Sequence, residues 1–529
     1  MATTDWGPLE RLAELAQTLA GAWGGRARSS TTVGQERALL RLFGVHGLDA
    51  AGRPLAGEVA DRYIGHDRSR LASGIALPFA MALLEYDVGP QQLALDVASG
   101  AIDLAFEGEL LRQLDRRQVA EEEAARLSAA ALARVDANRT ARRELVGLLG
   151  DAPRPWIGTT LAEPVIDAAL GEATDRIADG VDVVRVEVPV GRELAASLAD
   201  AGLETTDWQW GETRPYDRRQ DPDTTPAGSQ RGLAELRELL DEEAANQRRY
   251  ARLATAAPPL AAPEQAVVAA FERVDLVEAD PMAEIVAGGV DPDRALADHA
   301  FAHRLLRRAG TSVLVGAGPL VVAPDLASGV PSDAATRAGR ALALQLLGVA
   351  LARGDGLPAD RIIVGVLPPW LTDEPAPAAR AAAEVALRRA LLAEHPLAFE
   401  EPAGLAGGAE TWPFVLSGVL PPGAATALVM RKPTAGSMRT AVADSRAAIT
   451  VGAELAGVLG ARALEGVALE HARGVVTAAI RTLERLADVG WRSVLGEAPG
   501  GGERVRIGAD AVAERSEGFD AIPRDLAPA

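Results

Sequence analysis

The sequence contains no cysteine and a single lysine, Lys432, among 54 basic residues. The absence of cysteine excludes disulfide bonds, thiolate metal sites and cysteine nucleophiles, and it is typical of cytoplasmic proteins. Because Lys432 is the one lysine, any Schiff base that this chain forms with a carbonyl compound or with pyridoxal has to involve it. The alternative, which we favour, is that the composition prefers arginine and that Lys432 is incidental.

Long apolar runs and an excess of positive charge are also missing. No stretch of about 18 apolar residues is free of charge, so no membrane-spanning helix is expected. The segment MATTDWGPLERLAEL has no basic residues ahead of an apolar core, so no secretory signal is predicted. The formal net charge is −20, whereas binding to a phosphate backbone requires a basic surface. We therefore predict a cytoplasmic protein that binds neither nucleic acid nor membranes.

Eight short apolar runs are present, and the segments between them have helical patterns. Runs this short and rich in Val, Ile and Leu are typical of strands buried on both faces. Their eightfold alternation with helices predicts an α/β fold, a (β/α)8 TIM barrel. The predicted strands are Pro155–Thr159, Asp182–Val188, Tyr250–Thr255, Val274–Glu278, Ser312–Gly316, Ile362–Leu367, Leu397–Glu401 and Ala427–Arg431.

A chain of 529 residues is longer than a barrel alone requires. We predict an N-terminal helical region at residues 1–150, a TIM-barrel domain at 151–440 and a C-terminal helical extension at 441–529. Within the first region, Thr32-Val33-Gly34-Gln35 has the pattern of a capping box that begins a helix. Near the end of the chain, Arg504–Ile507 is predicted to form a hairpin or loop.

The C-terminal ends of the predicted strands are where TIM barrels carry their active sites. Glu278 and the adjacent Glu400 and Glu401 are candidates for a carboxylate pair in acid–base catalysis. At most one of the adjacent pair faces the lumen, because neighbouring strand residues point to opposite sides. Charged residues at strand ends are also commonly just solvated. The residues predicted at this rim are Arg192, Glu278, Asp280, Trp370, Glu400, Glu401, Trp412, Arg431 and Lys432.

The connection after the second predicted strand is unusually long. It spans Thr205–Gln230 and contains Trp208, Trp210 and Tyr216. Loops of this length are usually lids, binding loops or disordered segments. We interpret it as a lid over the barrel mouth, although its Asp- and Pro-rich second half fits a disordered insertion equally well. Tryptophans around the mouth favour a large flat ligand, and packing of loops onto the barrel explains them equally well.

His299 and His303 stand four residues apart in the predicted helical segment DHAFAH. This spacing places both on one face of a helix, as some metal sites require. No Glu lies between them and no third ligand is evident, so we expect a satisfied surface pair. No metal site is predicted.

Two segments near the N-terminus resemble the start of the large (alpha) subunit of lysine 5,6-aminomutase, to which the large component of D-ornithine 4,5-aminomutase is similar. They are Thr31–Asp49 (TTVGQERALLRLFGVHGLD) and Pro54–Tyr63 (PLAGEVADRY). The similarity continues through Gly180–Leu194, Arg249–Leu276 and Asp291–Phe301, and more loosely through Pro396–Pro413 and the C-terminal helices. The chain is identified as a divergent member of this family.

The resemblance implies a radical isomerase, the large subunit of an adenosylcobalamin-dependent aminomutase acting on lysine- or ornithine-type amino acids. In that family adenosylcobalamin lies over the barrel mouth. A small cobalamin-binding subunit supplies the cobalt-ligating histidine and the Schiff-base lysine, and pyridoxal phosphate bridges the two chains. No DxHxxG motif is present here, which agrees with that division of labour. Catalytic residues stay unassigned, and the expected cofactor-binding residues are Arg192, Glu193, Glu278, Glu401 and Trp210.

The positions that contact pyridoxal phosphate in the family are replaced in this chain. Each lost contact is worth about 1–3 kcal/mol, so weak pyridoxal phosphate binding is expected. Arg192 is a candidate to replace the phosphate contact in part. The family's phosphate-binding Arg aligns with Val188, and a nearby Ser aligns with Glu193. The Ser after the third strand aligns with Pro258, and the ring-stacking Tyr with Ala283. The Arg that follows this Tyr aligns with Gly288, and an Asp-Asn pair with Leu320 and Val321.

Three hypotheses follow from these features. The first is an aminomutase large subunit with an altered amine site. The second is a divergent, non-catalytic homologue that kept the barrel and the subunit-binding surface but lost pyridoxal phosphate chemistry. The third is an unrelated barrel enzyme in which Glu278, Glu400 and Glu401 perform acid–base catalysis.

Overall fold

The computed structural model describes most of the chain. The described residues are 6–50, 52–65, 67–110, 114–161, 166–186, 230–257, 260–286, 290–316, 333–366, 376–400, 426–431, 438–459, 465–491 and 511–516. The predicted site residues Arg192, Glu193, Trp210 and Glu401 lie outside these ranges, as does the predicted hairpin or loop Arg504–Ile507.

The N-terminal part of the chain is helical, with one short strand that the sequence did not predict. This strand, β1, spans Ser30–Thr32. The helices are α1 (Leu9–Ser29), α2 (Val33–Leu42), α3 (Leu55–Ile64), α4 (Arg68–Ser73), α5 (Ala76–Tyr86), α6 (Pro90–Ser99), α7 (Leu104–Leu110) and α8 (Leu114–Leu149).

The predicted capping box at the start of α2 is half formed. The Thr32 hydroxyl accepts a hydrogen bond from the backbone N–H of Gln35 at 3.1 Å, as an N-cap does. The Gln35 amide does not return to the cap. Its Nε2 instead donates to the carbonyl of Ala297 at 2.7 Å, which ties α2 to the barrel.

Eight parallel strands close into a barrel, which confirms the predicted (β/α)8 fold. Closure comes from the first and last strands, where Trp156 pairs with Leu428. The strands are β2 (Trp156–Leu161), β3 (Val183–Val186), β4 (Arg252–Ala256), β5 (Leu276–Glu278), β6 (Ser312–Val315), β7 (Ile362–Val366), β8 (Leu397–Glu400) and β9 (Thr426–Arg431). Each overlaps a predicted strand, and the ends differ by a few residues.

Helices surround the barrel, and capping residues set their ends. Asp291 caps the fifth helix of the ring through the N–H groups of Asp293 and Arg294, and Gly310 ends the same helix in the left-handed conformation. The helices are α9 (Ile166–Ala178), α10 (Gln230–Gln247), α11 (Ala262–Phe271), α12 (Pro281–Val286), α13 (Pro292–Ala309), α14 (Ala334–Gly354) and α15 (Pro377–Leu391), with a short 3-10 turn at Ala359–Arg361.

Among the described residues after the barrel are two further helices and a strand: α16 (Met438–Leu459), α17 (Gly466–Val489) and β10 (Val512–Glu514). Helix α17 packs against α14, α15 and α1. Strand β10 pairs antiparallel with β1, so the two ends of the chain meet in one small sheet. In the described ranges, no helix is both long enough and apolar enough to cross a membrane. The domain boundaries at 150 and 440 stay predictions.

One apolar cluster fills the lumen of the barrel, and its strand members show which other strand residues face inward. Successive strand residues alternate between the lumen and the surrounding helices. Residues two or four positions further along a strand than a cluster member therefore face the lumen nearer the C-terminal mouth. The strand members of the cluster are Trp156, Val183, Ala254, Leu276, Leu314, Ile363, Ala398 and Met430.

The opposite end of the barrel, here called the floor, is held by two buried aspartates that precede β3 and β5. Asp275 accepts hydrogen bonds from Arg237 Nη1 (3.2 Å), the Tyr250 hydroxyl (2.9 Å) and the Leu253 N–H (3.0 Å). Its Oδ1 also lies 3.1 Å from Nε of Arg142 on α8. The floor therefore joins the barrel to the N-terminal helices.

The second floor residue, Asp182, joins the barrel to the C-terminal extension. It accepts from the Ile157 N–H at 2.8 Å and from Arg249 Nη1 at 2.6 Å. A second arginine, Arg446 on α16, donates to the same carboxylate at 2.7 Å. Asp182 was predicted as the first residue of a strand, but β3 begins one residue later at Val183.

Candidate functional site

Three polar side chains face the lumen just below the mouth of the barrel. They are Thr160 on β2, Arg185 on β3 and Glu278 on β5. Arg185 Nε donates to the Thr160 hydroxyl at 3.2 Å, and Arg185 Nη1 lies 3.5 Å from Glu278 Oε2. The side chains of Arg185 and Glu278 keep 17% and 14% of their exposure. We call this group the lumen triad.

The strand sequences explain how Arg185 reaches Glu278 across an intervening strand. In the register of the sheet Thr160 pairs with Arg185, and Arg185 pairs with Ala254 on β4. Glu278 pairs with Ala256 on the same strand. Two alanines at the lumen positions of β4 leave room for the long arginine side chain to cross it.

The lumen triad presents one positive and one negative group side by side. A guanidinium binds carboxylates and phosphates through paired hydrogen bonds. A carboxylate binds ammonium groups. On β7, Gly365 has no side chain and pairs with Ala398, so small residues also line that side of the lumen. The arrangement suits a small zwitterionic or anionic ligand that enters from above.

Asp280 was predicted at the rim, but it is buried behind the rim. Its Oδ2 accepts from the Gly316 N–H at 2.8 Å, and its Oδ1 accepts from the Met282 N–H at 2.9 Å. Burial raises the pKa of Asp280 to about 6, although these hydrogen bonds oppose the shift. Asp280 therefore holds the end of β6 next to the end of β5.

Glu284 on α12 holds a neighbouring loop in a similar way. Its Oε1 accepts from the Leu260 N–H at 2.6 Å, in the connection that follows β4. Its Oε2 lies 3.2 Å from His299 Nδ1. Burial, and then the charge of Asp298, raise the pKa of Glu284 to about 8.

His299 and His303 are buried, so the expectation of a surface pair is wrong. His299 Nδ1 lies 3.0 Å from the Ala295 carbonyl, and burial lowers the pKa of His299 to about 3, which keeps the ring neutral. His303 lies between Asp355 Oδ2 (3.0 Å) and the Ala279 carbonyl (3.2 Å). Both rings serve as buried links behind the mouth. Across the described ranges no group of three or more His, Asp or Glu is placed to hold a metal ion.

Of the predicted cofactor-binding residues, the structure describes Glu278, which ends β5 at the mouth, and its role stays a prediction. Glu400 and Arg431 end β8 and β9, but their side chains are not among those described. The predicted carboxylate pair therefore stays a prediction, and the described neighbour of Glu278 is a guanidinium. The predicted rim residues outside the described ranges are Arg192, Glu193, Trp210, Trp370, Glu401, Trp412 and Lys432.

Sequence reasoning missed Arg185 and Thr160. A usable signal was present in the segment DVVRVEV, where Arg185 interrupts an apolar run. With Val183 assigned to the lumen, the two-residue period of a strand places Arg185 there as well.

Of the positions aligned with the family's pyridoxal contacts, Ala283 is the one that the structure describes. It lies on α12 and packs against the outer core of the barrel. A methyl group offers no ring to stack on a pyridine, so the described residues do not reproduce that contact. Arg185 and Thr160 supply donors for an anionic group, but they do not by themselves make a pyridoxal site.

Comparison with known proteins agrees with this architecture. Residues 3–409 match the model of the D-lysine 5,6-aminomutase TIM-barrel domain of the alpha subunit. The lysine 5,6-aminomutase alpha subunit of Fusobacterium nucleatum is 25% identical over 365 residues, covering 68% of this chain and 64% of that protein. The Acetoanaerobium sticklandii alpha subunit is 25% identical over 337 residues, covering 63% and 59%.

The matched region thus spans slightly less than two thirds of either relative's length. Among solved structures, dihydropteroate synthase from Anaplasma phagocytophilum is 13% identical, with a TM-score of 0.33 over 58% of this chain and 99% of that one. That likeness is too slight to support any functional argument. The family model covers well over half of the chain, and the chain therefore belongs, as a divergent member, to the family of lysine 5,6-aminomutase alpha subunits.

Proposed function

We propose that this chain is the large subunit of an adenosylcobalamin-dependent aminomutase that moves an amino group between adjacent carbons of a lysine- or ornithine-type amino acid. The observation that carries the proposal is the lumen triad, which places a cation and an anion where barrels of this kind bind their substrates. Family membership supplies the reaction class. The small residues Ala256 and Gly365 at the same end of the lumen fit a large cofactor that lies over the mouth.

The residues of the triad have separate roles in this proposal. Adenosylcobalamin, when bound, supplies an organic radical that abstracts hydrogen from the substrate. Arg185 binds the substrate carboxylate, and Thr160 orients the guanidinium through the bond to Nε. Glu278 binds the substrate ammonium group. The apolar cluster beneath the triad excludes water from below. Arg192, Glu193, Glu401 and Trp210 stay predicted cofactor contacts.

The proposal includes a small partner subunit that supplies the cobalt-ligating histidine and the Schiff-base lysine. The relatives are named as alpha subunits, and this chain has one lysine. We further propose a cytoplasmic location. Since the aligned pyridoxal contacts are replaced, we propose an amine site that differs from that of the relatives.

The second candidate is a non-catalytic homologue that kept the barrel and the subunit-binding surface. The replacement at Ala283 favours it, because the described mouth lacks a ring-stacking side chain there. The two candidates differ in whether the barrel mouth still binds a corrinoid and an amino acid.

A visible absorption spectrum tests the proposal. The chain is purified with its native partner, supplied with adenosylcobalamin and passed through a desalting column. Retained corrinoid bands, together with calorimetric binding of lysine or ornithine that Arg185→Met weakens at least tenfold, are the expected result. A spectrum without corrinoid bands overturns the aminomutase proposal and leaves the non-catalytic candidate.

A further inference from the structure

A continuous chain of buried polar side chains runs from α17, in the C-terminal extension, to the upper ends of β6 and β7. Its members are His471 on α17, Glu384 and Arg388 on α15, and Gln345 on α14. All four are buried. None belongs to the lumen triad, and each comes from a helix outside the barrel. We call this group the relay.

Every link of the relay is a hydrogen bond. His471 Nε2 lies 2.9 Å from Glu384 Oε1, and Arg388 Nη1 donates to Glu384 Oε2 at 2.6 Å. Arg388 Nε donates to Gln345 Oε1 at 2.8 Å. Because the amide oxygen of Gln345 accepts from Arg388, its Nε2 has to face the other way. There it donates to the Gly365 carbonyl at 2.6 Å and lies 3.5 Å from the Gly316 carbonyl.

The central carboxylate of the relay depends on both neighbours. Burial alone raises the pKa of Glu384, but the hydrogen bond from His471 and the charge of Arg388 outweigh burial and hold that pKa below its usual range. Removing His471 leaves a buried carboxylate with one partner fewer. Arg388 then shifts towards Glu384, and Gln345 loses the contact that orients its amide.

The two carbonyls at the far end of the relay lie at the mouth of the barrel. Gly365 is the second-last residue of β7, and Gly316 directly follows β6. Gly316 is held on its other side by Asp280, which accepts its N–H at 2.8 Å. Both anchors therefore fix backbone at the C-terminal ends of their strands, where the described parts of β6 and β7 reach the mouth.

The glycine at position 316 agrees with a specific contact between the Gln345 amide and the end of β6. Gly316 has φ +75°, a conformation that glycine adopts without strain. A Cβ at this position would lie 2.2 Å from Gln345 Nε2. The close approach of the glutamine amide to the strand end therefore requires glycine.

We propose that Gln345 is a positioning residue for the barrel mouth, and that His471 holds it in place through Glu384 and Arg388, so that docking of α17 sets the geometry at the ends of β6 and β7. The relay acts on the mouth whichever ligand is bound there. Only the corrinoid measurement described below rests on the proposed function.

Hydrogen–deuterium exchange on the full chain tests the positioning role directly. Three variants are compared with the wild type. Gln345→Met and His471→Leu break the relay at its two ends, and His471→Gln keeps a donor towards Glu384. Thr482→Val is the matched control, because Thr482 lies on α17 and bonds only within its helix, to the Ala478 carbonyl.

We expect amides in peptides that cover the ends of β6 and β7 to exchange at least tenfold faster in Gln345→Met and His471→Leu. His471→Gln restores slow exchange, and Thr482→Val leaves it unchanged. Unchanged exchange at these strand ends in His471→Leu overturns the proposal, as does an equal increase throughout the barrel. If Gln345→Met does not fold, Gln345→Asn, whose amide is too short to span the contact, is judged by the same outcomes.

Titration with adenosylcobalamin, in the presence of the partner subunit, adds a readout that a purely structural role would not change. We expect His471→Leu to weaken corrinoid affinity at least tenfold at a temperature where exchange in the rest of the barrel equals that of the wild type. Equal corrinoid affinities of the wild type and His471→Leu would show that the relay has no effect on ligand binding. If the wild type binds no corrinoid, the proposed function fails, and the exchange measurement still decides the positioning role.

Discussion

The floor and the mouth of the barrel use buried carboxylates in opposite ways. At the floor, Asp182 and Asp275 are surrounded by arginines, three of which come from helices outside the barrel and one, Arg249, from the connection before β4. At the mouth, Asp280 and Glu284 hold backbone N–H groups, and burial raises the pKa of both. The floor carboxylates are paired with arginines and stabilise the fold. The carboxyl groups at the mouth are buried, so they are costly to ionise. The difference separates the end that maintains the barrel from the end that is free to carry chemistry.

The largest expected effect is at the floor, in Asp275→Ala. The substitution leaves Arg142 and Arg237 as buried charges without their carboxylate, and the Leu253 N–H without an acceptor. We expect a loss of about 3–5 kcal/mol in the free energy of unfolding, measured with urea. Glu85→Ala is the control, because Glu85 and its partner Arg116 keep 45% and 39% of their side-chain exposure, and it should cost less than about 1 kcal/mol. Equal losses would remove the distinction between floor and surface.

At the mouth, Glu284→Gln should change how stability depends on pH. The folded pKa of about 8 lies above the unfolded value of 4.5. As the pH rises, the unfolded chain therefore loses this proton first, and the wild type loses stability from about pH 5 to pH 8, by about 4 kcal/mol. The variant cannot ionise and should lack this loss.

Unfolding free energies at several pH values measure the difference between the wild type and Glu284→Gln. The control is Glu235→Gln, because Glu235 forms only a partly exposed pair with Arg231 and should leave the slope unchanged. Parallel curves for the wild type and Glu284→Gln would mean that Glu284 is ionised in the folded protein at neutral pH.

Substitutions at two glycines with the same positive φ separate the cost of backbone strain from the cost of a steric overlap. Gly316 and Gly47 both have φ +75°, but a Cβ on Gly47 meets no atom within 4 Å. Gly47→Ala should cost about 1–2 kcal/mol from the left-handed conformation alone. Gly316→Ala should cost about 1–3 kcal/mol more, because the methyl group overlaps Gln345. Equal melting temperatures for the two variants would show that Gln345 can move aside freely.

Arg185→Met should have a small effect on stability. The ion pair with Glu278 is loose, at 3.5 Å, but the two side chains keep only 17% and 14% of their exposure, so its loss should lower the free energy of unfolding by about 1–2 kcal/mol. Amino acid binding should nevertheless weaken at least tenfold, as measured by calorimetry. Thr160→Val, which only removes the bond that orients Arg185, should give an intermediate loss of affinity. A large drop in stability with unchanged affinity would show that the lumen triad stabilises the fold, as the floor aspartates do, and does not bind the amino acid.

The smallest expected effect is that of Lys432→Arg. If the partner subunit provides the Schiff-base lysine, borohydride reduction in the presence of pyridoxal phosphate should attach no label to this chain. Stability and corrinoid binding should also match those of the wild type. A label on the wild-type chain that the variant lacks would assign the imine to Lys432.

The barrel itself was predictable, because eight short Val-, Ile- and Leu-rich runs separated by helical patterns leave few alternative folds. The burial of His299 and His303 was not predictable from spacing. His299 lies against Glu284 on α12, and His303 lies between Asp355 and the Ala279 carbonyl, so the face of α13 that carries both histidines is covered by residues from other elements. A helical pattern in the sequence identifies a face of the helix, but it does not identify which other elements pack against that face.

The residues of the lumen triad could be identified only in part from the sequence, for related reasons. Glu278 was found because it ends a strand, whereas Arg185 was missed because it lies within one. The relay could not be found at all, since no local pattern connects His471 with Gln345. Strand β10 escaped prediction because it has three residues and its partner is almost a chain length away.

The pairing of β1 with β10 also has a consequence for biosynthesis. Gln35, just after β1, and Arg515, just after β10, touch across a separation of 480 residues. At about 5–20 residues per second, β1 waits roughly 25–100 s on the ribosome before its partner strand is made. During that time its open edge is a site for mispairing with other nascent chains. The small sheet therefore cannot form until residues 512–514 have been made, long after the strand at residues 30–32.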